Sequence, residues 1–187
     1  MYITVFFSEI TMVFKKKTID LSLFDFLNSI ESNFRALKGV DYKSIKLTGE
    51  VKERWENVSY LDGIDYELKE KCILSFERFA AYLVNDYKSL DKVFKTRDEE
   101  NYWLSFAFCS IRHIITKTNT AINPDDVIHS VFFISRFFDD KALDEAEKRF
   151  VTKNDFEYWL IMLICRCTIG EMVEGGEYKL SKNYKKK

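Results

Sequence analysis

The chain has 187 residues, of which 29 are basic and 30 acidic, and it contains 17 phenylalanines, 10 tyrosines and 3 tryptophans. With one proline and six glycines it offers few chain breaks. This composition disfavours a turn-rich β fold and favours one domain of long helices with short connections. We therefore predict an all-α bundle of about six to seven helices with two related helical pairs. The first residues permit a short strand.

Charge is distributed unevenly along the sequence. Residues 179–187 contain five lysines and no acid, whereas residues 18–178 contain 21 basic and 29 acidic residues. We predict that residues 1–178 form a single helical domain, with residues 1–17 peripheral to it, and that residues 179–187 form a basic flexible tail. An acidic body attracts basic surfaces and repels nucleic acid, although the same imbalance also serves ordinary solubility.

The sequence predicts a cytoplasmic protein. Its start lacks a secretory signal, and no apolar run reaches the roughly 18 residues that are needed to cross a bilayer. Met12 is a second candidate start, so residues 1–11 are of uncertain origin. All four cysteines lie in apolar stretches and are interpreted as small buried hydrophobic residues in a reducing compartment: Cys72, Cys109, Cys165 and Cys167.

Apolar spacing predicts the helices of the first half. The first begins at Asp20 and ends at Gly39, with helical spacing of Leu23, Leu27, Ile30, Phe34 and Leu37. A weaker segment ends near Gly63, and its apolar face consists of Val51, Trp55 and Val58. A long helix begins at Asp65, and its apolar face consists of Cys72, Phe76, Phe79, Leu83, Leu90 and Phe94.

The second half contains the clearest helix start. Asn123-Pro124-Asp125-Asp126 combines a capping residue, a proline in the first turn and two acids at the positive end of the helix dipole. The inward face of this helix is predicted to be Val127, Ile128, Val131, Phe132, Ser135 and Phe138. A short segment follows and carries Leu143, Ala146 and Phe150.

A short repeat joins two further helices. Tyr102-Trp103-Leu104 with Cys109 recurs 56 residues later as Tyr158-Trp159-Leu160 with Cys165. The two helices are predicted over about 98–118 and about 154–173. Ten of the fourteen residues 102–115 and ten of the twelve residues 158–169 are apolar, so both helices are expected to be central. Duplication of a helical pair and chance similarity between two buried helices both explain the repeat.

Signals for catalysis are sparse. The sequence has no glycine-rich phosphate loop and no metalloprotease or hydrolase motif. We interpret His113 as a core or boundary histidine and His129 as a local partner of Asp125. Asp139-Asp140-x-x-x-Asp144 is interpreted as a solvated cluster that opens a helix. We predict no cofactor and no metal site. Arg112 and Arg166 interrupt apolar runs, so each is a candidate for an internal ion pair or for a polar spot in a groove.

Two acidic regions stand out as candidate partner-binding sites. They comprise Asp98, Glu99 and Glu100 before the first repeat, and Asp139, Asp140, Asp144, Glu145 and Glu147 between helices. With these regions the chain resembles, in general character, the all-α immunity proteins encoded beside bacterial antibacterial toxins. The resemblance implies a non-catalytic inhibitor that binds a basic toxin domain, such as a nuclease, through acidic side chains.

Other functional classes stay open at this point. A phage or mobile-element protein that blocks a host defence complex would use the same acidic surface. A helical nuclease or metal-dependent hydrolase would need residues scattered along the sequence. Nucleic acid would bind only through the basic tail, and we predict no membrane association. The sequence does not determine the oligomeric state.

Overall fold

The structure, a computed structural model, describes residues 33–56, 61, 63–87 and 94–174. In these residues the chain is all-helical and has no strand, which confirms the predicted all-α bundle. The predicted peripheral residues 1–17 and the basic tail 179–187 lie outside the described residues. The elements are a 3₁₀ helix (Tyr42–Ser44), α1 (Gly49–Trp55), α2 (Tyr66–Asn85), α3 (Arg97–Thr118), α4 (Pro124–Phe137), α5 (Asp140–Glu147) and α6 (Lys153–Glu174).

Side-chain caps define where the helices begin. The Asp65 carboxylate accepts a hydrogen bond from the Leu68 backbone N–H at 3.1 Å, so α2 begins where the sequence predicts. Asn123 caps α4 in the same way, and Pro124 occupies its first turn. Residues 33–37 are helical, and Gly39 follows them with a φ of +84°, the backbone conformation that favours glycine after a helix. Most of this predicted first helix lies outside the described residues.

The end of α2 differs from the prediction. The apolar spacing extends the helix to Phe94, but α2 ends at Asn85, and Phe94 is a buried non-helical residue. The Asn85 side chain accepts a hydrogen bond from the Gly39 N–H at 2.6 Å and donates to the carbonyls of Leu37 and Val40. These bonds tie the end of α2 to the residues after the first helix. Leu90 lies outside the described residues.

Contacts between side chains show the direction of each helix. The start of α2 meets the end of α3, where the Lys71 ammonium donates to the Asn119 side chain at 2.7 Å, so these helices are antiparallel. Helices α4 and α6 are also antiparallel, since Thr168 donates to Ser130 at 3.1 Å while Phe138 packs against Trp159. The short connection 119–123 reverses the chain between α3 and α4. Helices α3 and α6 therefore run in the same direction and begin at the same end of the bundle.

The core lies between these four long helices. Helices α3 and α4 pack against each other, and both contact α2 on one side and α6 on the other. Aromatic rings fill the region between α1, α2 and α3, where Phe108 packs on Phe76 and Phe79 with ring centroids 5.6 and 5.1 Å apart. The largest fully buried side chains include Trp55, Trp103, Phe76, Phe79, Phe108 and Leu160.

The two repeat helices differ in burial. Trp103 on α3 is 1% exposed, whereas the equivalent Trp159 on α6 is half-buried. Both helices bury residues in the core, as predicted, but α6 is less fully buried than α3. Arg166 is exposed on α6, so the expectation of an internal ion pair for this residue is wrong. Arg166 lies on the exposed face of α6, so its guanidinium reaches water. Arg112 on α3 is half-buried, in keeping with its place in an apolar run.

Candidate functional site

The parallel course of α3 and α6 brings their first turns together. At the start of α3, the Thr96 hydroxyl accepts a hydrogen bond from the Glu99 N–H at 3.1 Å. The Glu99 carboxylate accepts one from the Lys95 N–H at 2.8 Å, which links the first turn of α3 to the residue before its cap. At the start of α6, Thr152 accepts from the Asp155 N–H at 3.2 Å. Acidic side chains are therefore held at the positive ends of both helices.

Helix α5 connects the end of α4 to the start of α6 at this same end of the bundle. Asp139 caps it by accepting a hydrogen bond from the Ala142 N–H at 2.9 Å, which agrees with the predicted helix-opening cluster. Asp140, Asp144 and Glu147 follow at intervals of four and three residues. This spacing places the three carboxylates on one face of the helix.

The acidic face of α5 and the first turn of α3 enclose a groove of about 300 Å³. Four carboxylates and one ammonium line it, so the groove carries an excess of negative charge. Aromatic rings from α3 and α6 form its apolar part. The lining residues that carry the argument are Glu99, Asp140, Asp144, Glu147, Lys153 and Tyr102, with Trp103 and Phe156 beside them. We call this feature the acidic groove.

The structure separates the eight predicted partner-binding residues into two sets. Four of them line the acidic groove: Glu99, Asp140, Asp144 and Glu147. The other four do not line it: Asp98, Glu100, Asp139 and Glu145. Sequence analysis did not predict that Tyr102, Trp103 and Phe156 would border the acids. The 56-residue repeat is the sequence signal that relates these residues. Two equivalent helices that run in parallel begin at the same end of a bundle, so their first turns lie close together.

Carboxylates near the groove influence one another. Burial raises the pKa of the half-buried Glu157, and the nearby Glu147 raises it further, against an opposing effect of Lys153. Burial also raises the pKa of the Tyr102 hydroxyl, and the negative charges of Glu157 and Glu147 add to this effect. The excess of carboxylates that line the groove would favour a positively charged ligand over a negatively charged one.

Burial shifts the pKa of other titratable groups in the core. His113 is half-buried, and burial, followed by the charges of Lys117 and Arg112, lowers its pKa to about 4. It is therefore neutral at pH 7, as befits the predicted core or boundary histidine. Burial raises the pKa of Cys72 to about 11 and that of Cys109 to about 12, so neither thiol forms a thiolate readily. Cys165 is buried and Cys167 is half-buried.

The predicted pairing of His129 with Asp125 is wrong. His129 is exposed on α4, and the Asp125 carboxylate accepts a hydrogen bond from the Tyr82 hydroxyl of α2 instead. Burial and the Asp125 charge raise the pKa of Tyr82, so this hydroxyl stays protonated and remains a donor. Asp125 thus joins the start of α4 to the end of α2, a tertiary contact that outcompetes the local one.

Comparison with protein-family models, with curated proteins and with solved structures finds no match to this chain. The part of the chain that the structure describes holds no group of three or more histidine, cysteine, aspartate or glutamate side chains arranged to bind a metal ion. Nor is any helix within that part both long and apolar enough to cross a membrane. Within the described residues, the acidic groove is the candidate functional site.

Proposed function

We propose that this protein is a non-catalytic inhibitor that binds a basic protein partner through the acidic groove. One observation carries the proposal: two acidic regions, separated by about 40 residues of sequence, line the same groove. Aromatic side chains form the apolar part of this groove. Among the described residues that line the groove, Lys153 alone offsets the four carboxylates. A binding protein needs a shaped and charged surface on a rigid support, and capped helix starts supply such a support.

The resemblance to immunity proteins suggests the class of partner. A nuclease must carry positive charge where it holds the phosphates of its substrate. Carboxylates on an inhibitor can occupy that surface in place of phosphates, and they also accelerate the encounter of the two proteins. We therefore propose that the partner is a basic, nucleic-acid-cleaving toxin domain and that the complex prevents access of its substrate.

Association kinetics test this proposal. The purified protein is mixed with the product of the reading frame that adjoins its gene, and the association rate is measured between about 50 and 500 mM NaCl. We expect a stoichiometric complex whose association rate falls at least about tenfold over this range. A rate that does not depend on salt would contradict the role of the acids. Failure of that product and of every protein in native-host pull-downs to bind would contradict the proposal as a whole.

A double variant assigns the effect to the groove. Asp144→Asn/Glu147→Gln removes two lining charges that no helix cap requires, and we expect it to slow association about five- to tenfold at low salt. The matched control is Glu145→Gln, because Glu145 lies on the same short helix but does not line the groove. Equal effects of the double variant and the control would mean that net charge, and not the groove, drives association.

A further inference from the structure

An exposed pair of phenylalanines lies on α4. Phe133 is 56% exposed and Phe137 is 63% exposed, although the opposite face of the same helix is buried in the core. Their ring centroids are 4.9 Å apart, so the rings form one continuous apolar ridge along the helix. Within the described residues, the only other large hydrophobic side chains of comparable exposure are Tyr66 and Val151. We call Phe133 and Phe137 the aromatic ridge.

The aromatic ridge lies close to the acidic groove along the chain. Helix α4 ends at Phe137, and the next residue, Phe138, turns inward and packs against Trp159 of α6 with ring centroids 5.3 Å apart. Asp139 and Asp140 follow directly, and Asp140 lines the groove. Phe137 and Asp140 are therefore three positions apart in the chain, a distance of at most about 11 Å between their backbone positions.

The area and charge of this surface indicate what covers it. The two rings expose roughly 200–250 Å², whereas a stable interface needs about 800 Å² from each partner. A partner that covers the ridge must therefore extend over neighbouring surface. On one side that surface is the segment 139–147, which contains five acids and one lysine. A second copy of this chain docked about a two-fold axis there would bring like charges together, so a basic partner fits better than a second copy.

We propose that the aromatic ridge and the acidic groove form one docking surface for a basic amphipathic segment of the partner, whose apolar side chains cover Phe133 and Phe137. Lysine or arginine side chains on the flank of that segment then reach Asp140, Asp144 and Glu147. This inference rests on the proposed function and adds a division of roles to it. The carboxylates set the rate of association, whereas Phe133 and Phe137, once the partner covers them, set the rate of dissociation.

Two synthetic peptides test the inference. The first is an amphipathic peptide of about 18 residues with lysine and leucine at helical spacing, and the second has serine in place of every leucine. We expect the lysine–leucine peptide to bind the wild-type protein at least about tenfold more tightly than the lysine–serine peptide. Phe133→Ala/Phe137→Ala should abolish this difference by raising the dissociation rate of the first peptide while leaving the second unchanged.

Matched variants separate the possible outcomes. Tyr66→Ala removes an exposed ring from the start of α2 and should leave the binding of both peptides unchanged. If the lysine–leucine peptide shows no preference on the wild-type protein, or if Phe133→Ala/Phe137→Ala retains that preference, the ridge is not a docking surface. We expect Asp144→Asn/Glu147→Gln to weaken the binding of both peptides. If it weakens neither, this result would contradict the proposed function of the groove instead.

Stability and self-association complete the test. Both phenylalanines are exposed and alanine favours helix, so the double alanine variant should unfold at the same temperature as the wild type or slightly above it. Sedimentation velocity then measures the oligomeric state of each protein. A concentration-dependent dimer that disappears in the double alanine variant would overturn the choice of a basic partner, because it would show that a second copy covers the ridge.

Discussion

Glu77 is a fully buried carboxylate on an otherwise apolar face of α2. The Arg54 guanidinium donates to both of its oxygens, at 3.2 and 2.9 Å, and the Trp55 indole N–H donates to one of them at 2.5 Å. The Glu77 side chain is 0% exposed and that of Arg54 is 20% exposed. Each partner therefore satisfies a charge that would otherwise be costly to bury, and together they join α1 to α2.

Replacement of Glu77 should destabilise the fold. Glu77→Gln keeps the shape of the side chain but removes its charge, which leaves the partly buried Arg54 guanidinium with the exposed Glu50 as its remaining counter-ion. We expect a loss of about 2–4 kcal/mol in the free energy of unfolding, measured by urea denaturation. Glu50→Gln is the matched control, since Glu50 binds the same arginine at 3.2 Å but is 82% exposed. A loss of more than about 1 kcal/mol in the control would contradict this assignment.

His113 should make stability depend on pH. Its pKa is lowered to about 4 in the folded protein, compared with 6.5 ordinarily, so the unfolded chain binds a proton between these values and the folded protein does not. The contribution of neutral His113 is complete above pH 6.5 and is lost as the pH falls toward 4. We expect His113→Gln to remove on the order of 2 kcal/mol of this dependence, measured by urea denaturation between pH 7 and 4.5. His129→Gln controls for the loss of an exposed imidazole, and an unaltered pH profile in His113→Gln would contradict the prediction.

The helix starts show how far the 56-residue repeat extends. Thr96 caps α3 and Thr152 caps α6, and these threonines are themselves 56 residues apart. Each bonds to the backbone of an acid three residues later, Glu99 in one helix and Asp155 in the other. The repeat therefore includes the local structure of both first turns as well as the aromatic residues after them. This agreement favours duplication of a helical unit over chance similarity.

Equivalent caps should contribute equivalent stability. We expect Thr96→Ala and Thr152→Ala each to lower the free energy of unfolding by about 1 kcal/mol, because each leaves N–H groups of a first turn without an acceptor. Thr116→Ala is the control, since the Thr116 hydroxyl bonds to a carbonyl within α3 and is not a cap. A cost below about 0.3 kcal/mol for either cap variant would show that the two helix starts are not equivalent.

Helix starts were more predictable from sequence than helix ends and burial. Asp65, Asn123 and Asp139 bond to backbone only two or three residues away, so the sequence contains the whole interaction. The end of α2 depends instead on bonds from Asn85 to residues more than 40 positions earlier. Apolar spacing alone extends that helix to Phe94, because it does not show which side chains bond to a distant segment of the chain.

At the scale of the whole molecule, the acidic groove brings four carboxylates of the described residues together. Glu99 and Asp140 lie in the first turns of α3 and α5, where helix dipoles favour negative charge, whereas Asp144 and Glu147 lie further along α5. All four carboxylates repel one another. Burial raises the pKa of the neighbouring Glu157, Lys153 opposes this shift, and the charge of Glu147 adds to it. Sites that bind a partner often retain unfavourable charge that the partner then neutralises.

Relief of this repulsion should stabilise the free protein. We expect Glu147→Gln to raise the free energy of unfolding by about 0.5 kcal/mol at low salt, and we expect this gain to disappear at about 0.5 M NaCl. Glu145→Gln, which removes a carboxylate outside the groove, should change stability by less than about 0.2 kcal/mol. The prediction fails if Glu147→Gln destabilises the protein or if its effect does not depend on salt.

The sequence by itself determined the helical class, the helix starts and the presence of two acidic regions, because each of these depends on residues within a few positions of one another. The tertiary structure decided which of the eight predicted acids meet. Glu99 and Asp144 share a groove only because α3 and α6 run in parallel and α5 connects the end of α4 to the start of α6. It also decided that Trp103 is buried while Trp159 is half-exposed, since burial depends on the neighbours that a helix acquires in the bundle.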